Sequence, residues 1–216
     1  ERLEPALVEA LTAVLSPAAI VLRNDTSVRG LEGLPSEVRL VAGAIPAAPT
    51  VEEGGAVFPL DPLGGQKTGW FFDHRDNRAF MARLSTGARV LDLYAHTGGF
   101  GVQCAVAGAF QVDLIDRSGP ALHSAAQAAE LSGVADRVTT RKADAFAALE
   151  HLISAGDTYD VVICDPPAFA KSRKDVGGAA KAYRKLARLA AQVTAPGGVL
   201  MLASCSFHLD AASFAL

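Results

Sequence analysis

The sequence predicts an α/β fold: a doubly wound, mainly parallel sheet with helices on both faces, preceded by a small α+β lead-in. Three observations predict it. From Arg89 onward, short aliphatic and β-branched runs alternate with segments of helical periodicity. The first run gives way to a glycine-rich turn, Gly98-Gly99-Phe100-Gly101. Asp92, Asp116, Asp144 and Asp165 close or follow successive runs. Strands that alternate with helices pair in parallel, and such a sheet binds its ligand outside the carboxyl ends of the strands.

In chain order, residues 1–15 repeat apolar side chains at helical spacing, and 19–22, 38–41 and 56–60 read as short strands separated by Gly and Pro. Five further strands follow at 90–93, 112–115, 138–141, 161–163 and 199–203. Helices open near Phe100, Gly119 and Asp144, and another spans 179–193. Trp70 and Phe71 read as core. Only residues 204–216 follow the fifth strand.

With 216 residues, 50 % hydrophobic and 20 % charged, the chain has the composition of an ordinary globular protein with one sizeable core. No apolar run reaches the roughly 20 residues that cross a bilayer, and the first four residues lack a signal-peptide layout, so a soluble, cytoplasmic protein is expected. Cys104, Cys164 and Cys205 are odd in number and far apart, which argues against a disulfide framework and against zinc. His74, His123, His151 and His208 show no ligand spacing, so no metal is expected. The net charge of -3 gives no global attraction to nucleic acid, which leaves any such contact to a local basic patch.

Glycines at 98, 99 and 101 let the backbone turn sharply and approach a ligand, a property shared by nucleotide-binding folds of several functions. Asp92 discriminates among them. A carboxylate beside a pyrophosphate is repelled, whereas S-adenosylmethionine carries an ammonium and a sulfonium and no phosphate. Asp116, roughly 20 residues on, is placed to accept from ribose hydroxyls. Asp144 is placed to accept from an adenine amino group or to cap the helix that follows it. At Asp165-Pro166-Pro167-Ala168-Phe169 two prolines forbid helix and make a rigid turn. Such a turn is either purely structural or holds a carboxylate and a ring over a cofactor's reactive end.

Four stretches carry a family resemblance: residues 65–75 (Gly-Gln-Lys-Thr-Gly-Trp-Phe-Phe-Asp-His-Arg), 92–101, 165–172, and 204–208 (Ser-Cys-Ser-Phe-His). From about Asn24 to its end the chain resembles the bacterial large-subunit rRNA cytosine-C5 methyltransferases that carry an N-terminal PUA domain, class I S-adenosylmethionine-dependent enzymes. The resemblance implies a flap with Lys67, Thr68, Phe72, Asp73 and Arg75 on the cofactor. It places Asp92, Tyr94, Thr97, Gly98, Gly99 and Phe100 at the cofactor's methionine end, Asp116 with Arg117 at the ribose, Asp144 with Ala145 at the adenine, and Asp165 at the reactive end. It divides the chain into a partial lead-in over 1–64 and a catalytic domain over 65–216. The RNA-binding PUA domain and two strands after the fifth have no counterpart, so a piece of a longer protein is expected.

Cytosine C5 is too weak a nucleophile to attack a methyl sulfonium unless a thiolate first adds to C6. Cys205 follows the fifth strand, and the resemblance assigns it this role. Asp165 would hydrogen-bond or protonate the base edge and steady the charge that builds in the ring. Cys164, next to Asp165 in an extended strand, points the opposite way and reads as core, and Cys104 reads as helix packing. For substrate, Pro166, Pro167 and Phe169 would face the base, and Lys171, Arg173 and Lys174 its phosphates. Lys181, Arg184, Lys185 and Arg188 continue the basic run, which is equally a solvated helix face. Tyr183 reads as a base-stacking ring or as helix core. Two other readings stay open: methylation of an exocyclic amine, which needs a carboxylate and a stacked ring but no cysteine, and a module that binds cofactor and RNA without turnover.

Overall fold

The computed structural model describes residues 2–26, 28–65, 70–170 and 172–215. It divides into two compact units, the described residues of 1–51 with those of 59–72, and 52–58 with 73–216. Gly65 and residues 70–72, read from the sequence with the catalytic part, thus group with the first unit, and 52–58, read with the lead-in, with the second.

In the first unit, helix α1 (Glu4–Leu15) starts with a proline in its first turn and stops where Ser16 turns left-handed, at φ 43°. Strand β1 (Ala19–Asn24) is followed by one helical turn, α2 (Val28–Leu31), and by β2 (Glu37–Gly43), which pairs with β1 antiparallel. The Arg23 guanidinium fixes the end of β1 by pairing with Asp25 at 2.7 Å and donating to the Gly65 carbonyl at 2.9 Å.

Strands β3 (Thr50–Glu53) and β4 (Ala56–Pro59) form a hairpin through Gly54 and Gly55, whose φ values of 61° and 79° suit a two-residue turn that only glycine adopts freely. Sequence periodicity showed β4 but not β3, which is too short and too acidic to alternate clearly. Helix α3 (Arg75–Arg83) also escaped it, because charge dominates its surface. Its buried side is held instead by a polar lock. The Glu53 carboxylate, 5 % exposed, accepts from Arg78 Nε at 2.6 Å and Nη2 at 3.1 Å, and from Gln103 Nε2 at 3.0 Å. A pair this deep is satisfied only because each lone pair finds a donor.

The second unit continues with β5 (Arg89–Leu93), α4 (Gly99–Val106), β6 (Gln111–Asp116), α5 (Gly119–Leu131), β7 (Val138–Lys142), α6 (Ala145–Ala155), β8 (Tyr159–Cys164), α7 (Val176–Val193), β9 (Thr194–Leu202) and α8 (Ala211–Ala215). The five strands form one parallel sheet in the order β7-β6-β5-β8-β9. This is the α/β architecture that the alternation predicts. Period-two alternation decides which residue faces which layer. Leu91, Leu93, Ile115, Val162 and Cys164 join Leu149 and Leu152 of α6 and Leu186 and Val193 of α7 in one core. Asp92, Val112 and Leu114 point to the other face, where α4 lies against them. Each large aliphatic chain so buried contributes roughly 1.5–3 kcal/mol. The edge strand β7 is polar and exposed from Thr139 to Lys142, which suits an unpaired edge.

Chain order reverses between β5 and β8. Leu93 pairs in register with Cys164, so the segments that leave these two strands begin side by side. That is the switch point at which a doubly wound sheet opens a crevice. Among the described residues no helix is long and apolar enough to cross a membrane.

Candidate active site at the carboxyl edge of the sheet

The loop from β5 to α4 alternates left-handed residues: Tyr94 at φ 64°, His96 at 50° and Gly98 at 79°. Non-glycine residues in this region cost on the order of 1–3 kcal/mol each and persist only where surrounding contacts impose them. Here two carboxylates do so. His96 N–H donates to Asp116 Oδ2 at 2.9 Å, and Gly101 N–H donates to Asp92 Oδ2 at 2.9 Å. Gly101 is also a packing requirement, since a Cβ there would lie 2.2 Å from Leu114 Cδ2 and 2.9 Å from Val112 Cγ1. The third glycine therefore seats α4 on the sheet rather than touching a ligand.

Asp92 is 1 % exposed, and its carboxyl is pushed up to about 8, first by burial and then by the charges of Asp165 and Asp116, with the Gly101 N–H opposing. A buried carboxylate so disfavoured as an anion is a site for a cation, and it would repel a phosphate. S-adenosylmethionine, whose methionine end carries an ammonium and a sulfonium, fits these residues. Asp116, half-buried at the end of β6, also accepts from Ser118 N–H at 2.7 Å. Asp144 is exposed and caps α6, one oxygen accepting from Phe146 N–H at 3.0 Å and Ala147 N–H at 3.2 Å. The capping alternative for Asp144 is thus realised.

The remaining sequence-predicted residues sort by exposure. Tyr94 is half-buried against the core of α6 and α7, and burial pushes its hydroxyl up. Thr97 is half-buried, with Oγ1 3.4 Å from His96 Nδ1. Gly98, Phe100 and Ala145 are buried, Gly99 is half-buried, and Arg117, Phe72, Asp73 and Arg75 are exposed. Arg75 also pairs with Glu53 at 3.3 Å. Lys67, Thr68 and Lys171 lie outside the described residues.

Beyond β8, Asp165 is half-buried and its Oδ2 stands 3.5 Å from His74 Nε2. Asn77 Nδ2 lies 3.1 Å from His74 Nδ1, and an amide donating there leaves the ring hydrogen on Nε2, facing the carboxylate. The His74 ring also meets the edge of Phe100 at 5.6 Å. The sequence carried no signal for this approach, because 91 positions separate the partners. Pro166 is buried, Pro167 exposed, and the half-buried Phe169 ring packs against Phe146 and Tyr183, with centroids 6.4 and 4.6 Å away. Arg173 and Lys174 are exposed in a 3-10 turn closed by reciprocal bonds between Ser172 and Asp175.

Cys205 is exposed, and its thiol donates to the Pro166 carbonyl at 3.9 Å. Cys104 and Cys164 are buried, and burial pushes the Cys104 thiol up to about 12 and that of Cys164 higher. Lys181, Arg184, Lys185 and Arg188 are exposed on α7, where Lys185 pairs with Glu150 at 2.9 Å. Tyr183 is 3 % exposed, so it is core and does not offer its ring to a base.

A family model for S-adenosylmethionine-dependent methyltransferases matches residues 34–211. The chain is 39 % identical over 212 residues to the ribosomal RNA large subunit methyltransferase I of Aeromonas hydrophila subsp. hydrophila, covering 96 % of this chain and 53 % of that protein. It is 38 % identical over 212 residues to the protein of the same name from Photobacterium profundum, covering 97 % and 53 %. The chain thus spans about half the length of the curated relatives it matches. In fold it is similar to SMU.776, described as a methyltransferase and solved with SAH, at a TM-score of 0.84 and 21 % identity over 99 % of this chain and 55 % of that one. It is also similar to a Streptococcus mutans protein described as a SAM-dependent methyltransferase, at 0.79 and 19 % over 99 % and 54 %. On the match over 34–211, the chain belongs to the S-adenosylmethionine-dependent methyltransferase family, whose cofactor suits the buried Asp92 of β5.

Proposed function

We propose that this chain carries the catalytic part of an enzyme that methylates C5 of a cytosine in large-subunit ribosomal RNA, with Cys205 as covalent nucleophile. The observation that supports this reading is the meeting of the exposed Cys205 thiol with the Asp165-Pro166 turn, 3.9 Å from the Pro166 carbonyl, while both other cysteines are buried. The names of the relatives supply the RNA, and a cytoplasmic location accompanies it. S-adenosylmethionine, when bound, supplies an electrophilic methyl group. Asp92 and the backbone from Tyr94 to Phe100 would hold its methionine end, Asp116 and Arg117 the ribose, and Asp144 and Ala145 the adenine. Lys67, Thr68, Phe72, Asp73 and Arg75 would close over it.

Cys205, as thiolate, adds to C6 of the base, and the electron pair of the C5–C6 bond moves toward C5 and the ring. Asp165 steadies that charge by a hydrogen bond, or by a proton, at the base edge. Once C5 carries the methyl group, with the neutral thioether S-adenosylhomocysteine as leaving group, loss of the C5 proton to a base would restore the double bond and expel Cys205. Pro166, Pro167 and Phe169 would border the base, and Lys171, Arg173 and Lys174 its phosphates.

The test is Cys205→Ala, assayed for S-adenosylmethionine binding by calorimetry and for methyl transfer to unmodified large-subunit rRNA. Binding should persist and transfer should vanish. Transfer retained by the variant would remove the covalent mechanism, and the position of the product methyl, read by mass spectrometry, would then decide for or against an exocyclic amine. No transfer by the wild type to any RNA would leave a binding module.

A further inference from the structure

We propose that Tyr183 is a positioning residue for Cys205, its hydroxyl tying together the two serines that flank the nucleophile; the inference rests on the reading of Cys205 above. Tyr183 sits in mid-α7, in a small core with Ala170, Ala179 and Leu209, against the rings of Phe169 and Phe214. A phenol this deep needs a partner for its oxygen. It has two. Ser204 Oγ donates to Tyr183 Oη at 2.9 Å, and Tyr183 Oη lies 3.0 Å from Ser206 Oγ.

The hydrogens resolve without conflict. With Tyr183 accepting from Ser204, its own proton is available to Ser206, and either hydroxyl of that pair can be the donor. Ser206 Oγ accepts a second bond from Ala170 N–H at 3.2 Å, and Ser206 N–H donates to Ser204 Oγ at 3.2 Å. Ala170 directly follows Phe169 of the proline turn. Ser206 Oγ thereby links the segment after β9, which carries Cys205, to the segment after β8, which carries Asp165, and Tyr183 Oη holds that serine together with Ser204. Cys205 itself has a weak thiol contact to Pro166 and an exposed side chain, so its direction is set by the backbone on either side of it. A displacement of about 1 Å at a reacting group costs on the order of 100-fold in rate, which makes such a tether consequential.

Tyr183→Phe removes the hydroxyl and keeps the ring. Two readouts separate positioning from mere stability. The first needs no RNA: the rate at which a neutral haloacetamide alkylates Cys205 in the native protein, with the site confirmed by peptide mass. Releasing the thiol from its contact with the Pro166 carbonyl frees it to meet the reagent and should raise that rate about threefold or more. The second is turnover on unmodified large-subunit rRNA, where kcat should fall about 10- to 100-fold while KM for RNA and the Kd for S-adenosylmethionine change less than about twofold. An unchanged alkylation rate overturns the inference, as does a kcat loss that comes only with an equal loss of cofactor binding. Should Tyr183→Phe fold poorly, Ser204→Ala, at an exposed position, cuts the same link and must show the same pattern at smaller amplitude. Activity retained by Cys205→Ala would instead defeat the functional reading while leaving the alkylation result to stand on its own.

Discussion

The two halves of the sheet's carboxyl edge are built on different principles. After β5 and β6 the chain is held by acids that grip backbone N–H groups: Asp92 takes Gly101, and Asp116 takes His96 and Ser118. After β8 and β9 it is held by side chains that grip one another, with Tyr183 bonded to Ser204 and Ser206 and Phe169 packed on Tyr183. The first half buries its key acid and leaves it short of positive charge. The second exposes its key thiol. A carboxylate fixed by backbone donors suits a ligand that always presents the same cation, whereas the thiol proposed as nucleophile would have to be reachable by a large substrate and be steadied from behind.

The largest expected effect tests that contrast in exposure. In the native protein a thiol reagent should modify Cys205 on the order of 1,000-fold or more faster than Cys104 and Cys164, which must wait for opening of the core. Unfolding in denaturant should equalise the three. Peptide mass mapping along a labelling time course reads the ratio, and comparable native rates would mean that the β8–β9 half is not the exposed one.

How much of this was legible depended on whether a residue works through its neighbours in sequence. The five strands showed through alternation, and Asp92, Asp116 and Asp144 stood out because strand ends in this fold meet ligands. Left-handed Tyr94 and His96 carried no mark, since most tyrosines and histidines keep φ negative even though histidine visits positive φ more often than most residues. Glu53 carries no signal in the sequence, yet it is buried between α3 and α4 by Arg78 and Gln103, partners 25 and 50 positions away. The approach of His74 to Asp165 and the hydroxyl relay of Tyr183 were hidden for the same reason: side-chain pairs from separate elements leave no periodicity. Tyr183 offered two readings, base platform or core, and only its burial chooses between them.

A second prediction concerns charge in the β5–β6 half. Asp92→Asn keeps an oxygen for Gly101 N–H and removes the anion, so S-adenosylmethionine should bind about 100-fold more weakly by calorimetry, the range for truncating one side of a buried charged pair. The same change should stabilise the ligand-free protein at alkaline pH. The carboxyl, at about 8 when folded, lies above its unfolded value near 4, so the folded state holds the proton more tightly. Its contribution is fully favourable below about pH 4 and is lost as pH rises toward and through 8. Melting temperatures of wild type and variant should therefore meet near pH 4 and diverge by pH 8.5, with the variant higher. Wild-type protein should also release close to one proton on binding cofactor at pH 7, seen as a dependence of binding heat on buffer ionisation, and Asp92→Asn should release none from this group. Curves that stay parallel across that range would remove the cation-site argument.

The smallest expected effect decides what Asp144 does. Its Oδ1 caps α6 through Phe146 and Ala147 N–H, so Asp144→Ala should cost about 1 kcal/mol in urea denaturation, the usual worth of such a cap. Serine caps nearly as well as aspartate but has no carboxylate. If Asp144 is only a cap, Asp144→Ser recovers the lost stability and leaves the Kd for S-adenosylmethionine as in wild type. If the carboxylate also meets the adenine amino group, Asp144→Ser recovers stability and still binds cofactor severalfold more weakly, while sinefungin and other ligands with the same adenine follow in parallel. The β5–β6–β7 half would then be one acid-lined groove from Asp92 to Asp144. In the other case the groove stops at Asp116, and the chain's third acid belongs to the architecture of α6.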